Sequence, residues 1–226
     1  MTVPKRAGAA SRKRGHYAPD VTRKQLLGAA LKLFSEKGFH STTVEAIVVQ
    51  ANVTKGAFYH HFESKEDLLR QIHAEYASEM LAGAREVKAA HDLEPIDQLR
   101  SLIERAVILL GQYREHVAVF YQELRFLSGK NYTAIRRMHE EQEEILLDVV
   151  ERAKKAGQLR PEVDSKLLLF SISGTTAWIY QWYRPDGKLG LEAIARSLAD
   201  IILLGAMTPE YQMARSGQAA ATTREK

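Results

Sequence analysis

Apolar side chains recur at three- and four-residue spacing along most of this sequence, from about residue 20 to residue 206. The first segment carries the pattern on Leu26, Leu27, Ala30, Leu31, Leu33 and Phe34. This spacing places one apolar stripe on a helix, and Gly38 follows where a helix C-cap is expected. No stretch alternates convincingly as a strand. The sequence therefore predicts an all-α fold.

Two short helices follow the first one. The run 42–45 reads Thr-Thr-Val-Glu, a capping-box signature that opens a helix of about seven residues. Asn52 marks a turn because asparagine tolerates the left-handed conformation. Thr54 is placed to cap a second short helix that runs to about His61, and Ser64 is placed to cap a longer one.

The rest of the chain is predicted to be helical up to its last residues. Breaks at glycine, proline and aspartate separate helices at about 64–90, 95–114, 116–128, 132–157, 162–183 and 189–206. Residues 1–19 and 208–226 have no apolar period, so we expect a disordered basic arm and a disordered tail.

The charge of the chain is unevenly distributed. The net charge of +4 combines +5 over residues 1–19, +1 over residues 20–70 and −2 over residues 71–226. The basic end indicates an anionic partner, although a solubilising tail would have the same composition. Cysteine is absent, and no apolar run reaches the roughly 18 residues of a membrane span. A cytoplasmic protein without a membrane partner is expected.

The two short helices fit a helix-turn-helix. Apolar residues suited to lock the pair together are Val44, Ile47, Val48, Ala51, Val53, Phe58 and Phe62. The outward face of the second helix offers polar and aromatic groups for phosphates and base edges: Thr54, Lys55, Ala57, Tyr59, His60 and His61. Gly56 would let a DNA backbone approach closely. A metal site is disfavoured because adjacent histidines point about 100° apart on a helix.

These residues resemble the DNA-binding domain of the tetracycline-repressor (TetR) family. The resemblance covers about 45 residues and rests on Phe34, Gly38, Thr42-Thr43-Val44, Ile47, Val53 to Phe62 and Ser64-Lys65-Glu66. It implies an all-helical homodimer with a three-helix DNA-binding domain (20–66) and a larger C-terminal domain (67–207) for ligand binding and dimerisation. The family's usual partner is double-stranded operator DNA.

The resemblance also implies individual roles. Lys55, Gly56, Tyr59 and His60 would face the groove, and His61 would contact a phosphate. Thr42, Thr43 and Lys65 would contact the DNA backbone, and Thr54 joins the same face. Two positions depart from the family pattern: Asn52 stands where glycine is common and Val48 where alanine is common.

Two C-terminal helices match the position of the family's dimer interface. The helix predicted over 162–183 contains a run of small residues, and the helix over 189–206 has a broad apolar face. The resemblance therefore implies a homodimer through these two helices. A tight intramolecular core would give the same pattern.

The segment from Trp178 to Gly187 resembles a second, narrower group. It reads Trp-Ile-Tyr-Gln-Trp-Tyr-Arg-Pro-Asp-Gly, similar to TetR regulators that sense acyl-CoA thioesters and control fatty-acid or related acid degradation. This likeness implies an acyl-CoA inducer and a site that includes Trp178, Trp182 and Arg184. An aromatic anchor for the helix end is the structural alternative.

An acyl-CoA needs an apolar tunnel for its tail and cations for its polyanionic head. Residues suited to line a tunnel are Phe120, Tyr121, Leu124, Phe126, Leu127 and Ile135. Cations suited to the head are Arg125, Arg136, Arg137 and Arg184. Taken singly, each of these residues is better explained by ordinary core or solvated charge. The acidic run 140–144 is expected to be a solvated helix face.

The sequence contains no nucleophile-elbow, phosphate-loop, dinucleotide-binding or zinc-protease motif. We therefore expect no enzyme, cofactor or metal, and the alternative class is a helical enzyme or ligand carrier with an incidental basic arm. Within the regulator class, the alternative is a repressor of efflux or detoxification genes that responds to hydrophobic or aromatic compounds.

Overall fold

The structure, a computed structural model, describes residues 19–224, with side chains described for residues 20–216. The described residues form eleven α-helices and a 3₁₀ turn at Leu124–Phe126. The first seven helices are α1 (Pro19–Lys37), α2 (Val44–Gln50), α3 (Lys55–His61), α4 (Lys65–Ala89), α5 (Pro95–Gln112), α6 (Arg114–Glu123) and α7 (Gly129–Lys155). The last four are α8 (Ser165–Ala177), α9 (Ile179–Trp182), α10 (Leu191–Ala206) and α11 (Pro209–Arg224).

The all-α prediction is confirmed, since about 79% of residues 19–224 are helical and this part of the chain contains no strand. Helices α1, α2 and α3 pack around the buried side chains of Phe34, Ile47 and Phe58. We call these three helices, with the turns between them, the head. Gly38 ends α1 with a φ of 78°, and its amide donates to Phe34 O at 2.9 Å, which confirms the predicted C-cap.

Helix α5 is the centre of the C-terminal part. It packs against α4, α7, α8 and α10, and its residues Ile96, Leu99 and Ile103 are fully buried. Further along α5, Val107 and Leu110 belong to a second cluster with residues of α9 and α10. The remaining helices are therefore held around one central helix.

The head and the C-terminal part share a core. Val119 and Phe120 on α6 and Ile135 on α7 are buried in the same cluster as the head side chains. Helix α4 begins at the head and continues for 25 residues into the C-terminal part. The two parts are therefore joined by packed side chains as well as by one continuous helix.

The structure corrects two of the predicted boundaries, and it does not describe the predicted basic arm. The single helix predicted over 162–183 is two helices, α8 and α9, separated at Trp178. Within the tail predicted to be disordered over 208–226, residues 209–224 form helix α11. Thr208 caps this helix by accepting from Tyr211 N at 3.3 Å, and Arg215 pairs with Asp97 at 2.6 Å. The basic arm lies outside the described residues, apart from Pro19 in α1.

No helix within residues 19–224 combines the length and apolar character needed to cross a lipid bilayer.

Candidate functional site

The helix-turn-helix forms by local capping. Thr43 Oγ1 accepts from Ala46 N at 3.1 Å, and Thr54 Oγ1 accepts from Ala57 N at 3.1 Å. Between the two short helices, Asn52 has a φ of 53°, so the left-handed turn predicted there is confirmed. The predicted caps of α3 and α4 are confirmed as well, with Ser64 Oγ accepting from Asp67 N at 3.0 Å. The capping box predicted over 42–45 does not form, because Thr43 caps α2 and the carboxylate of Glu45 pairs with Lys55.

Helix α3 turns one face to the head core and the other outward. Phe58 and Phe62 are buried as predicted, and Ile47 and Val48 of α2 pack against them. The outward residues are exposed: Thr54, Lys55, Gly56, Tyr59 and His60. The exposed fraction of Tyr59 is 54%, which is high for a large aromatic residue. Most of the predicted α3 set is therefore exposed, whereas Ala57 and His61, which belong to the same prediction, are half-buried.

Charged and titratable groups on this face influence one another. The ammonium of Lys55 pairs with the carboxylate of Glu45 on α2, and both side chains are more than half exposed. Their hydrogen bond raises the pKa of Lys55 and lowers the pKa of Glu45. Partial burial, then the charges of His60 and Arg23, lower the pKa of His61. An anion approaching Lys55 would therefore compete with Glu45.

Gly56 has space around it. A Cβ atom built on this residue would meet nothing nearer than Thr54 Oγ1, at 3.8 Å, and the glycine does not have a left-handed φ. Glycine in a helix is also about 1 kcal/mol less favourable than alanine. The fold therefore gives no reason for the missing side chain.

Two of the residues predicted to contact DNA form hydrogen bonds with the protein's own backbone. Thr42 is 1% exposed, and its hydroxyl donates to Gly38 O at 2.8 Å and to Leu33 O at 3.3 Å. The ammonium of Lys65 donates to Phe39 O at 2.6 Å and to Thr42 O at 2.7 Å. Burial lowers the pKa of Lys65. Both groups hold the turn between α1 and α2, because they donate to its carbonyl oxygens. Thr42 is buried, whereas Lys65 is half-buried.

Helix α6 holds the same turn from the other side. Phe39 N donates to the buried carboxylate of Glu123 at 3.1 Å. The ring of Phe39 stacks on Phe126 with 5.2 Å between centroids, and the ring of His40 lies 6.2 Å from Phe126. The head is therefore attached to the C-terminal part at the α1–α2 turn.

A cavity of about 410 Å³ lies between α4, α5, α7 and α8. This volume falls in the range of pockets that hold small organic ligands. Most of its wall is apolar, including Met80, Ala84, Leu102, Ala106, Ile108, Leu109, Leu146 and Ile172. Its polar and aromatic members include Tyr76, Glu79, Arg105, Gln112, Tyr121, His139, Gln142, Glu143, Ser173 and Thr176.

The cavity contains one of the seven side chains predicted to bind ligand. Tyr121 lines it and stacks on Tyr180 at 5.6 Å. Phe120 lies in the core shared with the head, where Leu124, Phe126, Leu127 and Ile135 also pack, because α6 lies against α1. These five residues, predicted to line the same tunnel, do not border the cavity.

The predicted cations and tryptophans also lie away from the cavity wall. Arg125 lies over the ring of Phe126 at 5.0 Å, and Arg136 pairs with Glu140 one helical turn away. Trp178 and Trp182 are 59% and 45% exposed, and Arg184 and Arg137 are exposed as well. The structure therefore does not gather these side chains into one site.

Sequence reasoning missed most of the cavity wall. Small residues such as Gly83 on α4 and Ala106 on α5 leave space between facing helices. A small residue within one helix does not by itself indicate a cavity. The acidic run 140–144 was expected to be solvated, yet Gln142 and Glu143 border the cavity. The available signal was the spacing of His139, Gln142 and Leu146 along one face of α7.

A second exposed surface runs along α8, α9 and α10. Large apolar side chains on it are more than half exposed: Leu167, Phe170, Trp178, Ile201 and Leu204. Cβ atoms built at Gly174 and Gly205 would meet nothing within 4 Å. We call this surface the α8–α10 face. Exposed apolar side chains in such a group are typical of a surface that another chain covers.

Comparison with known proteins agrees with these features. A model of the tetR family of bacterial regulatory proteins matches residues 26–72, which contain the helix-turn-helix. A model of the tetracyclin repressor-like C-terminal domain matches residues 92–206, about half of the chain. The two matches together cover most of the head and most of the cavity wall.

Individual relatives show the same likeness over most of the chain. The HTH-type transcriptional repressor KstR2 of Rhodococcus jostii is 30% identical over 83% of this chain and 92% of the relative. The ketosteroid transcriptional regulator KstR2 of Mycobacterium tuberculosis has a similar structure, with a TM-score of 0.74, 27% identity and coverage of 82% and 95% of the two chains. AibR, solved with isovaleryl coenzyme A and operator DNA, has a TM-score of 0.69, 25% identity and coverage of 80% and 97%.

The capped helix-turn-helix, the helical C-terminal part and the two family matches agree over the described chain. KstR2 is described as a regulator of transcription in both organisms. This chain therefore belongs to the TetR family of transcriptional regulators.

Proposed function

We propose that this chain is a ligand-responsive repressor that binds operator DNA as a dimer and is released by an acyl-CoA thioester. It would control genes of fatty-acid or related acid catabolism. The observation that carries the proposal is the continuity of α4, which begins at the head and supplies Tyr76, Met80 and Gly83 to the cavity wall. A ligand in the cavity therefore touches the same helix that positions the head.

The proposed DNA surface is the outward face of α3 with the N-terminus of α2. Thr43, Thr54, Lys55, Gly56, Tyr59, His60 and His61 make up this surface. A helix presented in this way fits the major groove, and its N-terminal turn favours phosphate. Thr42 and Lys65 are left out because their polar groups are already bound to backbone carbonyls.

The proposed dimer forms through the α8–α10 face. Leu167 and Phe170 on α8 and Ile201 on α10 would be covered by the same surface of a second copy, as a two-fold axis requires. Two heads at a fixed distance could then occupy two half-sites about 34–36 Å apart. Release requires only that the ligand binds better to a dimer with a different head spacing.

Two observations support an acyl-CoA inducer. The cavity of about 410 Å³ is large enough for an acyl group, whose apolar body suits its wall. AibR, a relative of known structure, is described in complex with isovaleryl coenzyme A and operator DNA. The nucleotide part of the thioester would extend out of the cavity past Arg105, a lining residue on α5 whose side chain is exposed and pairs with Glu86.

One observation favours the alternative inducer. Glu79 and Glu143 border the cavity, whereas Arg105 is the one arginine or lysine among its described lining residues. Carboxylates near an apolar cavity attract organic cations. The second candidate is therefore a repressor of efflux or detoxification genes that responds to a hydrophobic cation or aromatic compound.

Release of operator DNA distinguishes the two inducers. The full-length protein is bound to its own upstream DNA, and isovaleryl-, octanoyl- and palmitoyl-CoA are titrated against free CoA and tetraphenylphosphonium. We expect at least one acyl-CoA to release the DNA while free CoA does not. Release by tetraphenylphosphonium alone would favour the efflux repressor. Failure of every acyl-CoA would reject the thioester.

Substitution of Tyr59 tests the DNA surface. Tyr59→Ala should weaken operator binding by about 10- to 100-fold, which corresponds to the roughly 1–3 kcal/mol of a good base contact. Circular dichroism and sedimentation should show an unchanged fold and assembly. The matched control Tyr132→Ala replaces another exposed tyrosine on α7 and should keep the affinity. Equal affinities of the two variants would reject α3 as the recognition helix.

A further inference from the structure

Two histidines face each other beside the cavity. His73 on α4 is fully buried, and its Nε2 lies 2.9 Å from Nε2 of His139 on α7. The ring of Phe120 stacks on His73 at 3.5 Å and lies 6.0 Å from the ring of His139 in a nearly parallel orientation. His139 also borders the cavity, whereas His73 does not. The packed rings therefore hold His139 in a fixed position at the cavity wall.

The short distance fixes the number of protons between the rings. Two ring nitrogens 2.9 Å apart form a hydrogen bond only if one carries a proton and the other presents a lone pair. Burial lowers the pKa of both rings, and that of His73 to about 2. Both rings are therefore neutral near pH 7, so each carries a single proton.

The direction of this hydrogen bond follows from the other nitrogen of His73. Among the groups that the structure describes, none bonds to the buried Nδ1 of His73. If His73 accepted through Nε2, its own proton would sit on Nδ1 as a buried donor without an acceptor, which is rare in folded proteins. If His73 donates through Nε2, Nδ1 is left with a lone pair only. His139 then accepts through Nε2 and carries its proton on Nδ1.

We propose that His139 presents its Nδ1–H to the cavity as a fixed donor for a carbonyl oxygen on an otherwise apolar ligand. His73 is the positioning residue that selects this tautomer. The inference rests on the proposed function in placing the inducer in this cavity. It also narrows the ligand class, because a fixed N–H donor binds a ketone, ester or thioester carbonyl and has no lone pair for a cation.

The first test is the tautomer itself, measured on the intact protein without ligand. Long-range ¹H–¹⁵N correlation spectra of ¹⁵N-histidine-labelled protein distinguish protonated from unprotonated ring nitrogens. We expect His73 to be protonated on Nε2 and His139 on Nδ1. The opposite assignment would overturn the proposal whatever the ligand is.

The second test uses two small probes of the same shape. Cyclohexanone has a carbonyl oxygen where methylenecyclohexane has a CH₂ group. Cyclohexanone should shift the Nδ1 resonance of His139 and bind up to about tenfold more tightly, the range of one net hydrogen bond. Equal affinities, or no shift at Nδ1, would overturn the proposal.

Two substitutions of His139 separate the roles of its nitrogens. The amide of His139→Asn lies near the position of Nδ1, so it should keep the preference for cyclohexanone. The amide of His139→Gln lies near the position of Nε2, so it should lose the preference. Glu144→Gln, on the exposed side of α7, is the matched control and should behave as the wild type. A donor on His139 would be contradicted if both His139 variants kept the preference for cyclohexanone. It would also be contradicted if the control variant lost this preference.

The role of His73 is tested with His73→Phe, which keeps an aromatic ring beside Phe120 and removes the donor. We expect the His139 spectrum to change from one tautomer to a mixture and the cyclohexanone preference to fall. A single unchanged Nδ1–H tautomer would reject His73 as the positioning residue. If this variant does not fold, the wild-type spectrum already decides the tautomer.

The tests of the His139 donor can fail or succeed independently of the proposed repressor function. If the wild type shows the tautomer and the ketone preference but no acyl-CoA releases DNA, the donor stands and the thioester inducer is rejected. If octanoyl-CoA releases DNA from His139→Gln at the wild-type concentration, the repressor proposal stands and the donor is rejected.

Discussion

The outward face of α3 and the cavity are built in different ways. The proposed DNA surface is contained between Thr43 and His61, and all of its residues except the half-buried His61 are exposed around a small core. The cavity draws its wall from residues as distant in sequence as Tyr76 and Ala177. Truncating a side chain on the α3 face should therefore weaken DNA binding, whereas a larger side chain in the cavity wall should weaken the response to the inducer.

Filling the cavity is expected to have the largest effect. Ala106 is half-buried on the α5 wall, and Ala106→Phe would place an aromatic ring in the space proposed for the inducer. The inducer concentration for half-release of DNA should rise by about 100-fold or more, since tightly packed sites tolerate added volume poorly. Operator binding without inducer should persist in an electrophoretic mobility assay.

A matched substitution outside the cavity controls for added bulk. Ala82 lies on the exposed side of α4 and does not border the cavity, so Ala82→Phe should keep the wild-type response. An unchanged response of Ala106→Phe would show that the inducer binds elsewhere.

Gly56→Ala is expected to separate DNA affinity from stability. The new Cβ has space within the protein, so thermal or urea unfolding should show a gain of up to about 1 kcal/mol. Operator affinity should fall by about tenfold if a DNA backbone approaches this residue closely, because about 1.4 kcal/mol corresponds to tenfold.

A second helical glycine provides the comparison. A Cβ built on Gly28 in α1 would also meet nothing within 4 Å, so Gly28→Ala should gain similar stability. It should leave operator affinity unchanged. Unaltered affinity in Gly56→Ala would mean that DNA does not approach this residue.

Thr42→Val should affect the fold and not the DNA surface. The substitution removes a buried hydroxyl that donates to Gly38 O and Leu33 O, so unfolding free energy should fall by about 1 kcal/mol. Affinity of the folded protein should be unchanged at a temperature well below the unfolding transition. A tenfold loss of affinity without a loss of stability would restore Thr42 as a DNA contact.

Glu45→Gln is expected to have the smallest effect. Glu45 is paired with Lys55 on the proposed DNA surface, and a carboxylate there repels phosphate. The variant should bind operator two- to threefold more tightly at low salt, and the difference should shrink as salt is added, as for other exposed charges. Weaker binding would indicate that the pair positions Lys55 for its contact.

The head could be predicted in detail because its signals are local. Thr43, Thr54 and Ser64 each cap the helix that begins at the next residue, and Asn52 forms the turn predicted for it. The roles of Thr42 and Lys65 could not be predicted in this way. Their polar groups bond to carbonyls of the α1–α2 turn, and only the tertiary fold brings Lys65 to Phe39.

The cavity could not be predicted because no single segment encodes it. Phe120 and Tyr121 are adjacent in sequence, yet one is buried beside His73 and the other lines the cavity. Helix α11 could not be predicted for a similar reason. Residues 209–224 lack an apolar period of their own, and their helix is held by the packing of Tyr211 against an apolar cluster and by the ion pair of Arg215 with Asp97.

The backbone of Phe39 is held from two directions at once. Its amide donates to Glu123 at the end of α6, and its carbonyl accepts from Lys65 at the start of α4. If α4 tilts relative to α6, one residue cannot keep both bonds. Deuterium exchange at the Phe39 amide would therefore report the relative displacement of the two helices, in solution and without any label on the DNA.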